Sequence, residues 1–427
     1  MRANRRLLLK GGAALTLGGL TLGRLGDLAA AQDESKLEIF SWLTSPGEAP
    51  ALQALFDAFN AKYPDVEVIN AAVAGGGGGA AQAVLQTRLQ GNNPPDSWQT
   101  HIGRELIDQY VVPGYCLPIS DIYEQEGFLE VMPQGLVEQA SWESEQYSVP
   151  IGVHRGNGLF YNKSVLQDAG IAPPEKLAID DFFAAADALK AKGVTGLALG
   201  SKDAFVPAQT FENVLLGVVG PETYRKLFAG EQPWDDPGVR EAGDVLAHML
   251  DYVNPDHSAL TWDEAFALVI EGKAGMNTMG DWAWGEVIAK KAEDAIGWLN
   301  FPGTDGSFVL VVDSFPLPKG APHPENSANW LRVIGSKEAQ EAFNLLKGSI
   351  PARTDTDKSI FGPYHQWSME SFAKDELVPS CAHGQASSPQ FKQALYDAAT
   401  SFLVDRDVDA LVVALSDAAA IDAENAS

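Results

Sequence analysis

Strand-like and helix-like apolar patterns alternate along the first part of the chain. Residues 37–42 form a largely apolar segment that predicts a strand, and the next apolar residues recur at helical spacing until Tyr63 and Pro64 end the helix. Residues 66–69 form another predicted strand. A glycine run at 75–79 then leads into a helix that ends near Gly91, and residues 96–100 are extended again. The order βαβαβ predicts an α/β fold with a largely parallel sheet.

The same alternation resumes near residue 149 and predicts a second α/β lobe. Strands are expected at 149–153 and 159–162, and Phe182, Ala186 and Leu189 mark a helix that ends at Gly193. Further amphipathic helices are expected before Gly348 and from about residue 390 onward. A chain of 427 residues exceeds one ordinary core and fits two lobes of roughly 150 to 200 residues each.

The N-terminus resembles an export signal of the twin-arginine type. Arg5 and Arg6 precede an uncharged stretch at 11–23 that is rich in Gly, Ala and Leu, and an Ala-rich site follows at 29–32. We therefore predict a signal peptide at residues 1–31 and an exported protein, in the periplasm or at the cell surface. A short membrane anchor is the alternative, although the apolar stretch is shorter than the roughly 20 residues that a membrane-spanning helix needs.

The charge of the chain excludes some partners. The formal net charge is -27, and the predicted signal peptide is basic, so the rest of the chain is more acidic still. Such a surface repels phosphate backbones and anionic lipid, and we expect no nucleic-acid partner. Cys116 and Cys381 are the only cysteines, and the sequence leaves open whether they form a disulfide. The seven histidines lack metal-ligand spacing, so we expect no metal and no cofactor.

A series of motifs from residue 148 onward resembles the family 1 extracellular solute-binding proteins. The middle signature reads SVPIGVHR at 148–155, LFYNK at 159–163 and AGIAPP at 169–174. The likeness continues with TW at 261–262, GKA at 272–274, MGDW at 279–282 and SKEAQEAFN at 336–344. These proteins are the receptors of ABC importers, so the resemblance implies a binding protein without catalytic residues.

Within that family the sequence is most similar to glucose-binding proteins. The segments that carry this likeness are WQTH at 98–101, VDSF at 312–315, KGSIPAR at 347–353 and AHG at 382–384. The resemblance implies hydrogen bonds to a hexose from Gln99, His101, Asp313, Lys347 and His383. It further implies aromatic walls from Trp262 and Trp282, and first-loop contacts from Trp42 and Glu48.

The resemblance also implies a periplasmic-binding-protein fold, with two α/β lobes joined by hinge strands and a ligand cleft between them. The expected N-terminal lobe is residues 36–152 plus 310–352, and the C-terminal lobe is residues 153–309 plus 353–427. Hinge strands are expected near 151–153, 308–311 and 351–353. The function implied is a monomeric receptor that closes on a hexose, glucose first, and delivers it to membrane permease subunits.

These residue types suit a sugar, because aromatic faces cover its C–H surface and polar side chains satisfy its hydroxyls. Several of them also have structural alternatives. Thr261 and Glu264 form a capping box, so Trp262 could simply pack at a helix start. Lys347 in a last helical turn would favour the helix dipole without any ligand. A carboxylate at Asp313, next to apolar neighbours, is costly unless it is paired.

Other sugars and other classes of protein remain as alternatives. Galactose, mannose or a disaccharide would use the same residue types. A carbohydrate-active enzyme needs only two placed carboxylates, such as Glu48 and Asp313, although the chain has no GxSxG, HExxH or Walker motif. The glycine run formally fits a dinucleotide-binding pattern, but a run of five glycines fits almost any glycine pattern. A metal-binding receptor is the last alternative.

Overall fold

A computed structural model of the protein describes residues 35–172 and 175–426. The predicted signal peptide at 1–31 and the two prolines at 173–174 lie outside the described residues. The first elements, in chain order, are β1 (Lys36–Phe40), α1 (Ala49–Lys62), β2 (Glu67–Asn70), α2 (Gly79–Gln90), β3 (Ser97–Trp98), β4 (Thr100–His101), α3 (Arg104–Leu106), β5 (Cys116–Leu117), α4 (Ser120–Glu126), α5 (Phe128–Val131), α6 (Gln134–Gln139), β6 (Ser141–Trp142), β7 (Glu145–Gln146) and β8 (Ser148–Arg155).

The chain from residue 158 onward contributes the remaining strands and helices. They are β9 (Gly158–Asn162), α7 (Lys163–Asp168), α8 (Ile179–Ala191), β10 (Thr195–Ala198), α9 (Phe205–Phe228), α10 (Pro237–Met249), α11 (Trp262–Ile270), β11 (Ala274–Met279), α12 (Trp282–Lys290), β12 (Ile296–Asn300), β13 (Ser307–Pro318), α13 (Pro324–Ile334), α14 (Lys337–Lys347), β14 (Ile350–Pro351), α15 (Pro363–Lys374), β15 (Glu376–Pro379), α16 (Pro389–Asp405) and α17 (Val408–Ala426).

The N-terminal lobe contains the predicted parallel sheet. Its strand order is β2-β1-β3, and both pairings are parallel. Helix α1 buries Leu52, Leu55 and Phe59 in the same hydrophobic cluster as the β1 strand. The βαβαβ prediction is confirmed here, because α1 follows β1 and α2 follows β2 before the chain enters β3.

The C-terminal lobe differs from the prediction of a largely parallel sheet. Its strand order is β10-β11-β9-β12, with β10 and β11 parallel and β9 antiparallel to both of its neighbours. Most residues of β9, β10 and β11 are buried. Such a strand is covered on both faces, but its burial does not indicate the direction of the neighbouring strand.

A third sheet, which we call the hinge sheet, joins the two lobes. Its strand order is β14-β8-β13-β15, with β8 and β13 antiparallel, and β4 and β5 also pair with β13. β8 is buried along its whole length, as is nearly all of β13. Two separate hydrophobic cores flank this sheet, one in each lobe. The fold is therefore two α/β lobes joined by hinge strands, whereas the residue boundaries given above for the lobes stay a prediction.

The two cysteines lie in different cores. Cys116 belongs to the N-terminal core and Cys381 to the C-terminal core, and both are free thiols in the described structure. Burial raises the pKa of each thiol well above its usual value. The disulfide that the sequence left open is therefore absent. Among the described helices, none combines the length and the apolar character needed to cross a bilayer.

Candidate ligand-binding site

Eight of the nine predicted site residues line one cavity between the lobes. The walls of this cleft cavity are Trp42, Glu48, Gly77, His101, His154, Trp262, Trp282, Val311, Asp313, Lys347 and His383. The ninth predicted residue, Gln99, lies directly behind the wall. Its amide Nε2 donates to Asp313 Oδ1 at 2.9 Å, and its Oε1 accepts from the backbone N–H of Trp42 at 3.2 Å.

A buried ion pair joins two predicted residues on the N-terminal lobe. Glu48 immediately precedes α1, and Lys347 is the last residue of α14. The Lys347 ammonium donates to Glu48 Oε1 at 2.8 Å, and both side chains are almost completely buried. Gly348 ends α14 with a φ of 89°, and a Cβ there would lie 2.3 Å from the carbonyl oxygen of Asp281. Glycine at this position therefore lets the lysine reach the cavity from a tightly packed helix end.

Asp313 is the most heavily paired carboxylate of the cavity. It lies on β13 opposite His101 in one pairing and Gly152 in the other. Burial acts to raise the pKa of Asp313. The hydrogen bond from His154 and the charges of His154, Lys347 and His101 outweigh burial and hold the pKa well below its usual value. Asp313 is therefore an ionised acceptor at neutral pH. A carboxylate beside apolar neighbours needs partners, and Asp313 has them.

His154 is a cavity residue that sequence reasoning did not assign to the site. Its Nδ1 lies 2.6 Å from Asp281 Oδ1, and its Nε2 lies 3.1 Å from Asp313 Oδ2. Burial lowers its pKa, but the charge and hydrogen bond of Asp281, together with Asp313, outweigh that effect and raise the pKa above its usual value. Only an imidazolium can donate from both nitrogens, so the geometry and the pKa agree on the charged form. The available signal was a histidine that directly follows the apolar residues 149–153 of a predicted strand.

His101 extends the polar wall toward a second buried ion pair. Its Nδ1 lies 3.3 Å from Glu105 Oε2, and that same oxygen accepts from the Lys392 ammonium at 2.9 Å. Burial acts to raise the pKa of Glu105, yet the charges of Lys392 and His101 outweigh it and lower the pKa. Lys392 lies on α16 in the C-terminal lobe, so this pair also connects the lobes across the cavity.

The two predicted aromatic walls both begin helices of the C-terminal lobe. Trp262 is the first residue of α11, where the capping box between Thr261 and Glu264 is present as predicted. Trp282 is the first residue of α12, and its ring lies 5.9 Å from the Lys347 ammonium. Packing at a helix start and lining the cavity are therefore not alternatives, because Trp262 does both.

His383 offers an unused acceptor inside the cavity. Its Nε2 lies 3.2 Å from Gln209 Oε1, which can only accept, so Nε2 carries the proton and Nδ1 is bare. Within the described part of the chain, no hydrogen-bond partner reaches this buried Nδ1. Burial, followed by the neighbouring His101, lowers the pKa of His383 well below its usual value. A buried acceptor without a partner is costly, and a ligand hydroxyl would satisfy it.

The glycine run closes the cavity by close packing. Gly77 and Gly78 have positive φ angles of 63° and 79°. A Cβ on Gly77 would lie 2.8 Å from the Phe205 ring, and one on Gly78 would lie 2.9 Å from the Trp42 ring. Phe205 belongs to the C-terminal core, so the run fills the space between the lobes. Side chains at these two positions would hold the lobes apart.

Comparison with models of known protein families identifies the family to which this two-lobed chain belongs. A family model described as bacterial extracellular solute-binding protein matches residues 45–341. The chain belongs to this family. The family prediction is therefore confirmed, and the matched span includes six of the nine predicted site residues, with Trp42, Lys347 and His383 outside it. Whether any of the nine contacts a ligand stays a prediction.

Curated relatives of this solute-binding protein cover most of its length. An ABC transporter extracellular-binding protein of Pyrococcus horikoshii, named as uncharacterised, is 37% identical over 380 residues, or 88% of this chain and 86% of the relative. The xylose/arabinose-binding protein XacG of Haloferax volcanii is 32% identical over 400 residues, or 90% of this chain and 85% of the relative. The glucose-binding protein GlcS of Saccharolobus solfataricus is 23% identical over 344 residues, or 74% of this chain and 61% of the relative.

Solved structures confirm the predicted periplasmic-binding-protein fold. The bacterial solute receptor AcbH, described as having an exclusive preference for β-D-galactopyranose, matches with a TM-score of 0.81 at 21% identity. That match covers 92% of this chain and 99% of AcbH. A chitin oligosaccharide binding protein matches with a TM-score of 0.80 at 20% identity, over 92% of this chain and 99% of the other. At these identities the matches bear on the fold alone.

Proposed function

We propose that this solute-binding protein is the sugar receptor of an ABC importer, with a single hexose, glucose first, as its ligand. The relatives support the sugar class, since their names include binding proteins for xylose or arabinose and for glucose. Family membership supports a binding role without catalysis. The identity of the sugar is inferred from the residues of the cleft cavity.

The enclosed cavity between indole rings and ionised groups carries this proposal. The free space between its walls is small, which favours one sugar ring over a chain of them. Trp42, Trp262 and Trp282 offer faces to the C–H surface of a pyranose. Asp313 is an ionised acceptor, and its hydrogen bonds to hydroxyls each contribute roughly 1.5 to 3 kcal/mol.

Polar contacts that cross the cleft support a closing mechanism. Besides the Glu105 and Lys392 pair, the backbone N–H of Gly47 donates to Glu286 Oε1 at 2.7 Å, joining the first loop of one lobe to α12 of the other. A ligand that touches both lobes favours the closed form by its differential affinity for that form. The permease subunits would then recognise the closed receptor, with β8, β13 and β14 as the hinge strands.

The proposed function also requires that the protein is exported from the cytoplasm. The basic residues Arg5 and Arg6 followed by an apolar stretch support delivery through the twin-arginine route to the periplasm or cell surface, where the protein would act as a monomer. Replacing Arg5 and Arg6 with Lys should leave the uncleaved protein inside the cell. Equal export of this variant and the wild type would contradict the twin-arginine assignment.

Titration calorimetry with purified mature protein tests the ligand. The panel comprises glucose, galactose, mannose, xylose, maltose and cellobiose. We expect micromolar or tighter binding of glucose and weaker binding of the disaccharides. Trp282→Ala should lose the glucose heat, because it removes an indole plane from the cavity. Trp142→Ala is the matched control, since Trp142 is 42% exposed on β6 and away from the cleft.

The sugar panel tests separately the identity of the sugar, its size and the location of the binding site. Binding of galactose or xylose in place of glucose would correct the sugar and keep the receptor. Tight binding of a disaccharide with no heat from any monosaccharide would contradict the single-hexose assignment. Equal glucose binding by Trp282→Ala and Trp142→Ala would place the sugar outside the cleft cavity.

A further inference from the structure

The hinge sheet presents different side chains on its two faces. His154, Val311 and Asp313 face the cleft cavity. Their strand neighbours Val153, Leu310 and Val312 belong instead to a third hydrophobic cluster, which also contains Ile350 and Met369. Successive residues of a strand point to opposite faces, so this cluster lies on the face of the hinge sheet away from the ligand.

An apolar pocket opens on that far face. This back pocket has a volume of about 270 Å³, much larger than that of the cleft cavity. Its walls include Pro133, Ile350, Ala352, Met369, Phe372 and Ala373. A well-formed apolar pocket of this size is large enough for a small organic molecule.

The walls of the back pocket come from both lobes. Pro133 follows Met132, which packs in the N-terminal core, and the backbone N–H of Thr354 donates to the carbonyl of Val131 at 2.8 Å. The opposite wall is α15, whose Tyr364 stacks on Trp284 of the C-terminal core with ring centroids 4.6 Å apart. The pocket therefore spans the hinge, and relative rotation of the lobes changes its width.

Charge at the mouth selects an uncharged occupant. Arg353 lines the pocket, but Asp355 accepts from its Nε at 2.9 Å and from its Nη2 at 2.7 Å. Lys358 at the mouth is solvent-exposed and its ammonium can remain in water. With the guanidinium neutralised and the deeper walls apolar, an ionised ligand would be desolvated without a partner.

We propose that the back pocket binds a small uncharged apolar molecule and thereby holds the two lobes closed. Rotation about the hinge strands that parts the lobes at the cleft brings them together at the far face. A molecule lodged there resists this motion, so it strengthens retention of the ligand in the cleft. The effect on sugar affinity rests on the function proposed above, whereas occupancy of the pocket does not.

2-Naphthol, a neutral aromatic probe, tests the pocket on the whole mature protein. Its binding is measured by its fluorescence, the glucose dissociation constant by calorimetry, and lobe closure by the radius of gyration from X-ray scattering. Ala373→Trp places an indole in the pocket from the exposed side of α15, so it should abolish probe binding. Ala184→Trp is the matched control, because Ala184 is an exposed alanine on α8.

We expect saturating 2-naphthol to tighten glucose binding by about fivefold or more in the wild type and in Ala184→Trp. Ala373→Trp should show the tighter glucose binding without any probe. An absence of probe binding to the wild type, or probe binding that leaves glucose affinity unchanged or weaker, would overturn the proposal. If glucose itself does not bind, the proposed sugar is wrong, and the pocket is judged by scattering. A smaller radius of gyration in the presence of 2-naphthol then supports the proposed pocket, and an unchanged radius of gyration refutes it.

Discussion

The two walls of the cleft cavity use different chemistry. The N-terminal wall is ionic, with Glu48, Asp313 and Lys347 paired before any ligand arrives. The C-terminal wall is aromatic, with Trp262 and Trp282 at helix starts and a neutral His383. Trp42 is the one indole on the ionic side. Direction and selectivity for hydroxyls should therefore come mainly from one lobe, and contact area mainly from the other.

This division has a physical reason. Buried ionised groups are stable only when neighbours on a rigid frame satisfy them, and the strands and helix ends of the N-terminal lobe provide that frame. The face of an indole ring carries no charge that must stay paired and tolerates small displacements, so it suits a wall whose distance from the ionic wall changes when the lobes open. Under the proposed function, closure would bring an apolar surface onto a sugar that the ionic wall already orients.

Replacement of Asp313 should have the largest effect on glucose binding, because this residue is the centre of the ionic wall. Asp313→Ala removes an ionised acceptor and leaves His154 and Gln99 without their shared partner, which costs more than one lost hydrogen bond. We expect glucose affinity to fall at least 100-fold, or about 2.7 kcal/mol, in calorimetry. Asp121→Ala, on the exposed surface of α4, is the control and should bind as wild type. A loss under tenfold for Asp313→Ala would mean that the ionic wall does not dominate recognition.

The aromatic wall should give a smaller effect at Trp262. Trp262→Ala removes contact area but leaves the ionic wall intact, so we expect a loss of about tenfold in glucose affinity. Because Trp262 also packs at the start of α11, thermal unfolding must be measured alongside binding. Trp142→Ala again serves as the control. A larger loss for Trp262→Ala than for Asp313→Ala, in a protein that remains folded, would reverse the comparison of the walls.

Local signals in the sequence predicted much of this arrangement. The apolar spacing of α1, the capping box at Thr261 and the glycine after Lys347 each depend on neighbours within a few residues, and the structure has all three. The need of Asp313 for a partner was also predicted from its apolar neighbours. These rules are local because helices and caps are formed by residues close in the chain.

The remainder depends on pairs that are distant in the chain. His154 meets Asp281 and Asp313 across 127 and 159 residues, and no spacing rule connects them. Gln99 carries the right chemistry but lies behind Asp313, since only the tertiary fold decides which of two polar groups reaches a cavity. The antiparallel neighbours of β9 were missed for the same reason.

The smallest expected effect concerns His154, where the two walls meet. Its imidazolium lies between Asp281, on the loop before α12, and Asp313, on β13. Because its folded pKa is raised above the usual 6.5, His154 stabilises the folded protein fully below pH 6.5. That contribution is lost as the pH rises through the folded pKa. His383 affects stability in a different pH range. Because its pKa is lowered, it destabilises the folded protein only as the pH falls below 6.5.

Unfolding by denaturant at a series of pH values from 6.5 to 9 measures this contribution. The free energy of unfolding of the wild type should fall across that range, and His154→Gln should flatten the fall because a neutral amide does not titrate. His257→Gln is the control, since burial lowers the pKa of His257 and its effect lies below pH 6.5. Parallel profiles for the wild type and His154→Gln would mean that the two carboxylates do not hold a proton on His154. The ionic wall would then end at Asp313 and would not extend across the hinge to Asp281.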